Sequence, residues 1–276
     1  MHDVRIEYDM PAAEYHAIPA VSKSLLGKFD RTAAHGKYAL EHPHDSDALA
    51  LGRAFHTLSL EPEKAAQELA VAPVCDKRTK EGKVLFAEFE ASSAGKTVLT
   101  AAQYAQAVDM AQSFRECPEY AHVIADCKIE VSIFWQDADT WEPCKTRLDF
   151  VDPERGIVGD LKSVRDASDE GFARDAFAYG YHMAAAIHCD AYELAFGQQP
   201  NFYVMPVVEK DAPYLSRFFF TAPSSDFVTL GRREYRERLK KYSAARVSQK
   251  WEGYPVGLQE LFLPAWVQRK IEQGEM

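Results

Sequence analysis

Two aspartates, Asp149 and Asp160, stand eleven positions apart in this 276-residue chain, and Lys162 follows the second at a spacing of two. The first lies in Lys145-Thr-Arg-Leu-Asp-Phe-Val and the second in Gly156-Ile-Val-Gly-Asp-Leu-Lys-Ser, β-rich runs joined by Pro153-Glu-Arg-Gly156. Such a turn folds the runs into a hairpin and carries both carboxylates to one end of a sheet. Paired oxygen ligands on adjacent strands suit a hard divalent cation such as Mg²⁺. An ammonium beside them can orient or deprotonate a bound water for attack on phosphorus. The constellation is nuclease-like.

Side chains repeat every two residues along a strand, so Asp160 and Lys162 share a face while Leu161 points into the core. The Leu161 carbonyl stays near the ion position as an extra ligand. Asp-x-Lys alone is common on surfaces; the buried run Ile-Val-Gly before it and Arg147-Leu-Asp149 opposite it raise its specificity. Glu130 opens the preceding β-rich run, where it faces the same cleft or stays solvated. His56 lies in an otherwise apolar helical pattern (Leu49, Leu51, Ala54, Phe55, Leu58) and is either a satisfied core histidine or an imidazole ligand. Gly52, one turn earlier, costs a helix about 1 kcal/mol relative to alanine, so a close approach of another element is expected there. Oxygen ligands favour magnesium, and an imidazole among them is better tolerated by manganese. Tyr179, Tyr181, His182 and His188 follow on a helical stretch, placed for packing or for DNA phosphates.

The elements that must position these residues are legible as periodicities. Ser22 or Ser24 caps a helix towards Leu40, and a second helix covers Asp47 to Leu60. Cys75–Gly82 reads as a loop, followed by helices over Lys83–Ala94 and Ala101–Glu116, the latter with a Thr100/Gln103 capping box. The period then changes to two. Ile129–Trp135, Thr146–Val151 and Ile157–Lys162 form a three-strand meander, and Ser168 opens a long helix to about His188. Asn201–Val208 and Leu215–Thr221 are strands, and Ser224 or Ser225 starts a last helix to about Ala245. This order describes an α/β fold, a mixed central sheet flanked by helices. A single domain over 1–276 is expected, with a mainly helical part (1–125), an α/β catalytic core (126–250) and a C-terminal tail or helix (251–276).

Apolar residues make up 47% and charged residues 27%, as in soluble globular proteins. No signal peptide or membrane-length apolar run is seen, so a cytoplasmic location is the default expectation. Five scattered cysteines without a Cys-x-x-Cys pair argue against a disulfide framework and against zinc or iron–sulfur ligation. The net charge of −10 looks wrong for a DNA-binding protein, but the charges are segregated. Arg232–Lys241 holds six basic residues against two acids, and Lys77-Arg78-Thr-Lys80 is a second cluster. Both are either solvated faces or phosphate tracks. Acids gathered at an ion site account for part of the negative excess.

Taken together, Gly52-x-x-x-His56, Arg147-x-Asp149, Asp160-x-Lys162 and the tyrosine-bearing stretch after it resemble the PD-(D/E)XK nuclease superfamily. More narrowly, with Glu14-Tyr-His-Ala-Ile, Ser22-Lys-Ser-Leu, Gly52–Pro62 and Asp76-Lys-Arg-Thr-Lys-Glu-Gly, the chain is similar to the phage and prophage exonuclease VIII (RecE-type) catalytic domain over roughly residues 10–250. The resemblance implies a restriction-endonuclease-like core and a Mg²⁺- or Mn²⁺-dependent exonuclease on linear double-stranded DNA. Digestion from the 5′ end would leave 3′ single strands for a RecT-type annealing partner, and a ring of subunits is implied. His56, Asp149, Asp160 and the Leu161 carbonyl become the metal ligands, Lys162 the catalytic lysine, with Glu130 joining the catalytic acids. Arg147, Ser163, Tyr181, Arg232, Arg233, Lys77 and Arg78 are the candidate DNA contacts. Two departures from the pattern stand out. Ala184 and His188 occupy the family's Gln-x-x-x-Tyr positions, and Arg147-Leu-Asp replaces Arg-Pro-Asp. An endonuclease using the same site, and a degenerate DNA-binding or assembly module, are the alternatives.

Overall fold

A computed structural model describes residues 4–42 and 46–275. Its centre is a seven-stranded mixed, mostly antiparallel sheet with helices on both faces. The N-terminal part runs β1 (Arg5–Glu7), α1 (Ala12–Ala17), α2 (Lys23–Gly27), α3 (Ala33–Glu41) and α4 (Asp47–Leu60). After a 3₁₀ turn come α5 (Ala65–Glu68), β2 (Leu69–Val71), α6 (Lys80–Ser92), β3 (Thr97–Leu99), α7 (Ala101–Glu116) and α8 (Pro118–Val123). The core continues with β4 (Lys128–Gln136), β5 (Pro143–Asp152), β6 (Ile157–Gly159), β7 (Lys162–Val164), α9 (Asp169–Ala178) and α10 (Tyr181–Phe196). It finishes with β8 (Phe202–Glu209), β9 (Ser216–Thr221), α11 (Asp226–Ser248) and α12 (Ala265–Glu272).

Strand order is β1-β4-β5-β6-β8-β7, with β9 on the other side of β8. The expected meander β4-β5-β6 is antiparallel, while β6 and β7 both run parallel to β8. Alternation divides the core. Val131, Ile133, Leu148 and Tyr203 face α10 and α11 on one side, whereas Phe150, Leu161, Val204 and Val208 face α4 and α7 on the other. Helix α10 is buried almost all round, which is why its sequence carries little amphipathic signal. Ser46 caps α4, and Thr100 with Gln103 forms the expected capping box on α7. Among the described residues no helix is long and apolar enough to cross a membrane.

Four expected elements are corrected. The helix from Ser22 stops at Gly27, and Thr32 caps a new one, because each hydroxyl satisfies a fresh set of orphan amides. Thr79 likewise starts α6 at Lys80, inside the segment read as a loop. The Ser168–His188 helix breaks at Gly180, whose φ of +67° is left-handed backbone that glycine adopts without a Cβ penalty. The strand read as Ile157–Lys162 is interrupted at Asp160–Leu161, and that interruption builds the site.

Candidate active site

The site begins with cross-strand register. In the β4–β5 ladder, Ile129 pairs with Phe150 and Val131 with Leu148, so Glu130 stands opposite Asp149 on one face. Pairing lapses at Glu130, whose φ of +53° is left-handed for a residue with a long side chain. Such strain persists where the surroundings over-determine it, and it clusters at functional positions. Two residues along the same face, Arg147 donates to Ser132 Oγ (3.0 Å) and to the Met10 carbonyl (2.8 Å) and lies 3.6 Å from Glu130. The guanidinium is thereby fixed beside the acids.

The break between β6 and β7 supplies the second carboxylate. Gly159 sits where any Cβ would strike the Phe150 ring and the Val204 carbonyl at 2.2 Å, so the chain can pass here only without a side chain. The Asp160 amide donates to the Val204 carbonyl (3.1 Å). The Leu161 amide leaves the ladder and donates to Asp149 Oδ2 at 2.7 Å. Leu161 itself is fully buried, as its position predicts. Lys162 returns to the face of Asp160, and its ammonium hydrogen-bonds Asp160 Oδ2. Tyr181, the first residue of α10, lies below that ammonium, its ring centroid 5.2 Å away.

Helix α4 crosses this end of the sheet and presents His56, with Nδ1 3.5 Å from Asp149 Oδ2. One ligand atom from each of His56, Glu130 and Asp149 lies within 4.8 Å of the others. Gly52 has open space around it, so the expected close approach does not occur; Ala54 and Phe55 make the helix contacts instead.

The electrostatics are those of a pocket short of positive charge. Burial, with Asp160 adjacent, raises the Asp149 carboxyl well above the usual carboxylate range. Burial also opposes charge on Asp160, but the Lys162 ammonium outweighs it, and Asp160 is held well below that range while sharing a hydrogen bond with Asp149. The two neighbouring carboxyls are thus pushed in opposite directions. Burial pushes Glu130 up to about 7, with Arg147 opposing, and pushes His56 down to about 4. Lys162 is raised, since Asp160 and Asp149 overcome its burial. A neutral imidazole and crowded carboxyls make a donor set that fits a divalent cation.

Residues not singled out from the sequence also reach the site. Tyr203 on β8, fully buried, donates to Asp160 Oδ2 (3.4 Å) and meets His188 Nδ1 at 3.2 Å. His188 is thus walled in and not available to DNA; His182 is equally buried, 3.1 Å from Glu234. Lys23 at the start of α2 donates to the Tyr179 carbonyl (2.8 Å), and Lys162 and Arg238 are near enough to depress its pKa, after burial. The Ser22-Lys23 dipeptide was the only sequence signal for this placement.

Four other expected DNA contacts, Arg232, Arg233, Lys77 and Arg78, are not gathered here. Arg232 is turned onto Asp190 (2.8 Å), while Arg233 is exposed on α11. Lys77 lies over the Phe86 ring (3.1 Å), and Arg78 pairs with Asp76 (2.9 Å), both away from the acids. Ser163 is half-buried on β7 beside Lys162.

No curated protein matches the chain. A crystal structure from Eubacterium rectale, described as a "Putative exonuclease", is similar in fold, with a TM-score of 0.56 at 12% identity over 91% of this chain and 97% of that one. The crystal structure of SSO0001 overlaps 79% of this chain and 85% of that one at 14% identity, with a TM-score of 0.30 that carries no weight. The family model for a PDDEXK-like domain of unknown function (DUF3799) matches residues 22–258, which span every acid, the lysine and the imidazole of the site. By that match, the chain belongs to the PDDEXK-like family.

Proposed function

We propose that this chain is a divalent-metal-dependent deoxyribonuclease that degrades linear double-stranded DNA from an end, 5′ to 3′, leaving 3′ single strands for phage-type recombination. The observation that carries this reading is the convergence of His56, Glu130, Asp149, Asp160 and Lys162 at one interrupted strand. Membership of the PDDEXK-like family and the fold shared with the E. rectale protein support it.

His56, Glu130 and Asp149 would hold Mg²⁺ or Mn²⁺, with Asp160 and the Leu161 carbonyl at the rim of the same pocket. When bound, the cation supplies Lewis-acid activation of the phosphate and a more acidic water. Lys162, kept charged by Asp160, holds the attacking water or donates to the oxygen on which charge develops. Tyr203 and the Leu161 amide fix the two carboxyls, so the acids need not reorganise as charge moves. Arg147 buffers Glu130 and, with Ser163 and Tyr181, lines the approach of the backbone. Arg233, Lys77 and Arg78 are exposed cations for phosphates farther along the duplex, giving salt-sensitive affinity. A cytoplasmic location, a RecT-type annealing partner and a multi-subunit assembly complete the reading.

The test is purified protein on end-labelled linear duplex, with Mg²⁺ and with chelator. Release of label with Mg²⁺ alone supports the proposal, and an intact duplex under both conditions refutes it. Covalently closed circular DNA separates the modes, because an exonuclease leaves it intact and an endonuclease opens it.

A further inference from the structure

Lys23, the first residue of α2, is a partly buried cation that its surroundings leave uncompensated. Its ammonium donates to the Tyr179 carbonyl (2.8 Å), a neutral acceptor, and among the described residues no carboxylate pairs with it. Burial and then the Lys162 ammonium lower its pKa, and Asp160 offsets them only in part. That one bond leaves two of the three N–H donors of an ammonium for another acceptor. The Tyr181 ring centroid is 6.0 Å away, at the outer limit of a cation–π contact. The same centroid lies 5.2 Å from the Lys162 ammonium, so two cations share one ring beside the acids. A desolvated charge without a counter-charge costs the folded state free energy. Such charges gather where a ligand supplies what the protein withholds.

The corner that Lys23 touches is aromatic and open. Tyr179, just past the end of α9, is 63% exposed, and its ring lies 6.0 Å from that of Tyr181 at an inclination of 32°. Phe177 is 60% exposed and stacks on the buried His182. Gly180 turns the chain next, and a Cβ there would meet Lys23 Nζ at 3.9 Å, so the lysine lies along the corner. An exposed ring offers a base its face, whatever the base, and an ammonium takes phosphate as a point charge. Side by side, the two match the parts of one nucleotide.

We infer that Lys23 and Tyr179 form a nucleotide subsite beside the reaction centre, Lys23 holding the phosphate next to the one that is cut and Tyr179 stacking on a base of the same strand. The inference rests on the deoxyribonuclease reading and adds to it a grip on the substrate, with no part in the chemical step. Lys162 is held by Asp160 and acts on the scissile phosphate, whereas Lys23 has no acid to hold it and takes the neighbouring one. A purely structural Lys23, fastening α2 to the α9–α10 corner through the Tyr179 carbonyl, would need its N–H donor but not its charge.

Fluorescence anisotropy of a labelled oligothymidylate with the full chain, in chelator so that nothing is cut, separates the two roles. Lys23→Gln keeps an N–H donor and loses the charge. It should bind about tenfold more weakly, and the slope of log K against log salt should shrink by about 0.7, one phosphate contact on a single strand. Lys23→Arg keeps the charge and should keep the wild-type slope. Tyr179→Ala should bind about tenfold more weakly with the slope unchanged, while Tyr179→Phe binds as wild type. The Tyr179 variants carry the test should Lys23→Gln melt early, because that ring is exposed. In digestion of end-labelled duplex with Mg²⁺, Lys23→Gln should raise KM and leave kcat in place. Wild-type affinity in Lys23→Gln or Tyr179→Ala, an unchanged slope in Lys23→Gln, or equal losses in the Gln and Arg variants overturns the inference. A chain that shows these shifts yet cuts no DNA keeps the subsite and loses the deoxyribonuclease reading.

Discussion

Replacing Lys162 with methionine keeps the length of the side chain and removes its charge, and two consequences of opposite sign follow. The ammonium touches Asp160 and is largely buried, with 18% of its side chain exposed, so solvent screens it little. A unit charge and a divalent ion about 5 Å apart at an effective dielectric of about 20 repel by about 7 kcal/mol. Removing the ammonium relieves that repulsion. Asp160, left without its partner, then takes a proton more readily, which returns most of the gain. With about 1.4 kcal/mol remaining, Mn²⁺ should bind about tenfold more tightly. The reaction should instead slow by about 10²–10³-fold, the usual loss when one preorganised electrostatic donor is removed. Calorimetric titration with Mn²⁺ and single-turnover digestion of end-labelled duplex read the two effects separately. Wild-type cleavage, or weaker metal binding together with slower cleavage, would refute the reasoning, since the lysine would then be either idle or merely structural.

Glu130→Gln isolates one titration in metal-free buffer. A carboxyl raised by burial costs the folded state stability above its unfolded pKa, and the cost grows until the folded pKa near 7. The variant should therefore melt higher than wild type at pH 8, and the gap should close towards pH 5; a gap independent of pH counts against the buried acid. Tyr203→Phe removes the phenol donated to Asp160 and should lower cleavage about tenfold with a stability loss of about 1 kcal/mol; unchanged kinetics would show that Asp160 needs no support. Asp137→Ala strips the buried partner of Arg236 and of the Thr140 amide (2.9 Å) at the far end of β4. It should cost about 2 kcal/mol in urea unfolding while leaving cleavage per folded molecule intact, and lost activity without lost stability would place this end of the sheet in the reaction.

Much of this arrangement was legible because it rests on local chemistry. Helix α4 is found from its apolar spacing, and β4, β5, β8 and β9 from their period of two. The hairpin turn brings Asp149 to Asp160 as its length requires, and the Asp160/Lys162 pair shares a face. What stayed hidden depends on partners distant in sequence. Tyr203 reads only as one more apolar strand residue until β8 is laid beside β6. His188 and His182 read as packing residues or as phosphate contacts, and α10, sealed between the sheet and α11, makes them packing residues. The basic stretch 232–241 reads either as a solvated face or as a DNA track. In the fold, Arg232 clamps Asp190, Arg236 clamps Asp137 and Arg238 pairs with Glu234 (3.3 Å) in its own helix.

The interruption of the third strand ties fold to chemistry. A continuous strand over Ile157–Lys162 would spend the Leu161 amide on a neighbouring strand and leave Asp149 without a main-chain donor. Breaking the ladder frees that amide for the carboxylate, and Asp160 remains anchored through Val204. Gly159 permits the close passage just before the break, because any side chain there meets Phe150 and Val204. Across the sheet, the lapse of pairing at Glu130 occurs opposite the same aspartate. Two irregularities on separate strands thus converge on one carboxyl group, each giving up sheet hydrogen bonding that the core could otherwise have used. Packing gives no reason for either, since Leu161 and Val131 on either side are fully buried and well placed. A demand for oppositely constrained oxygen atoms at Asp149 gives a reason for both.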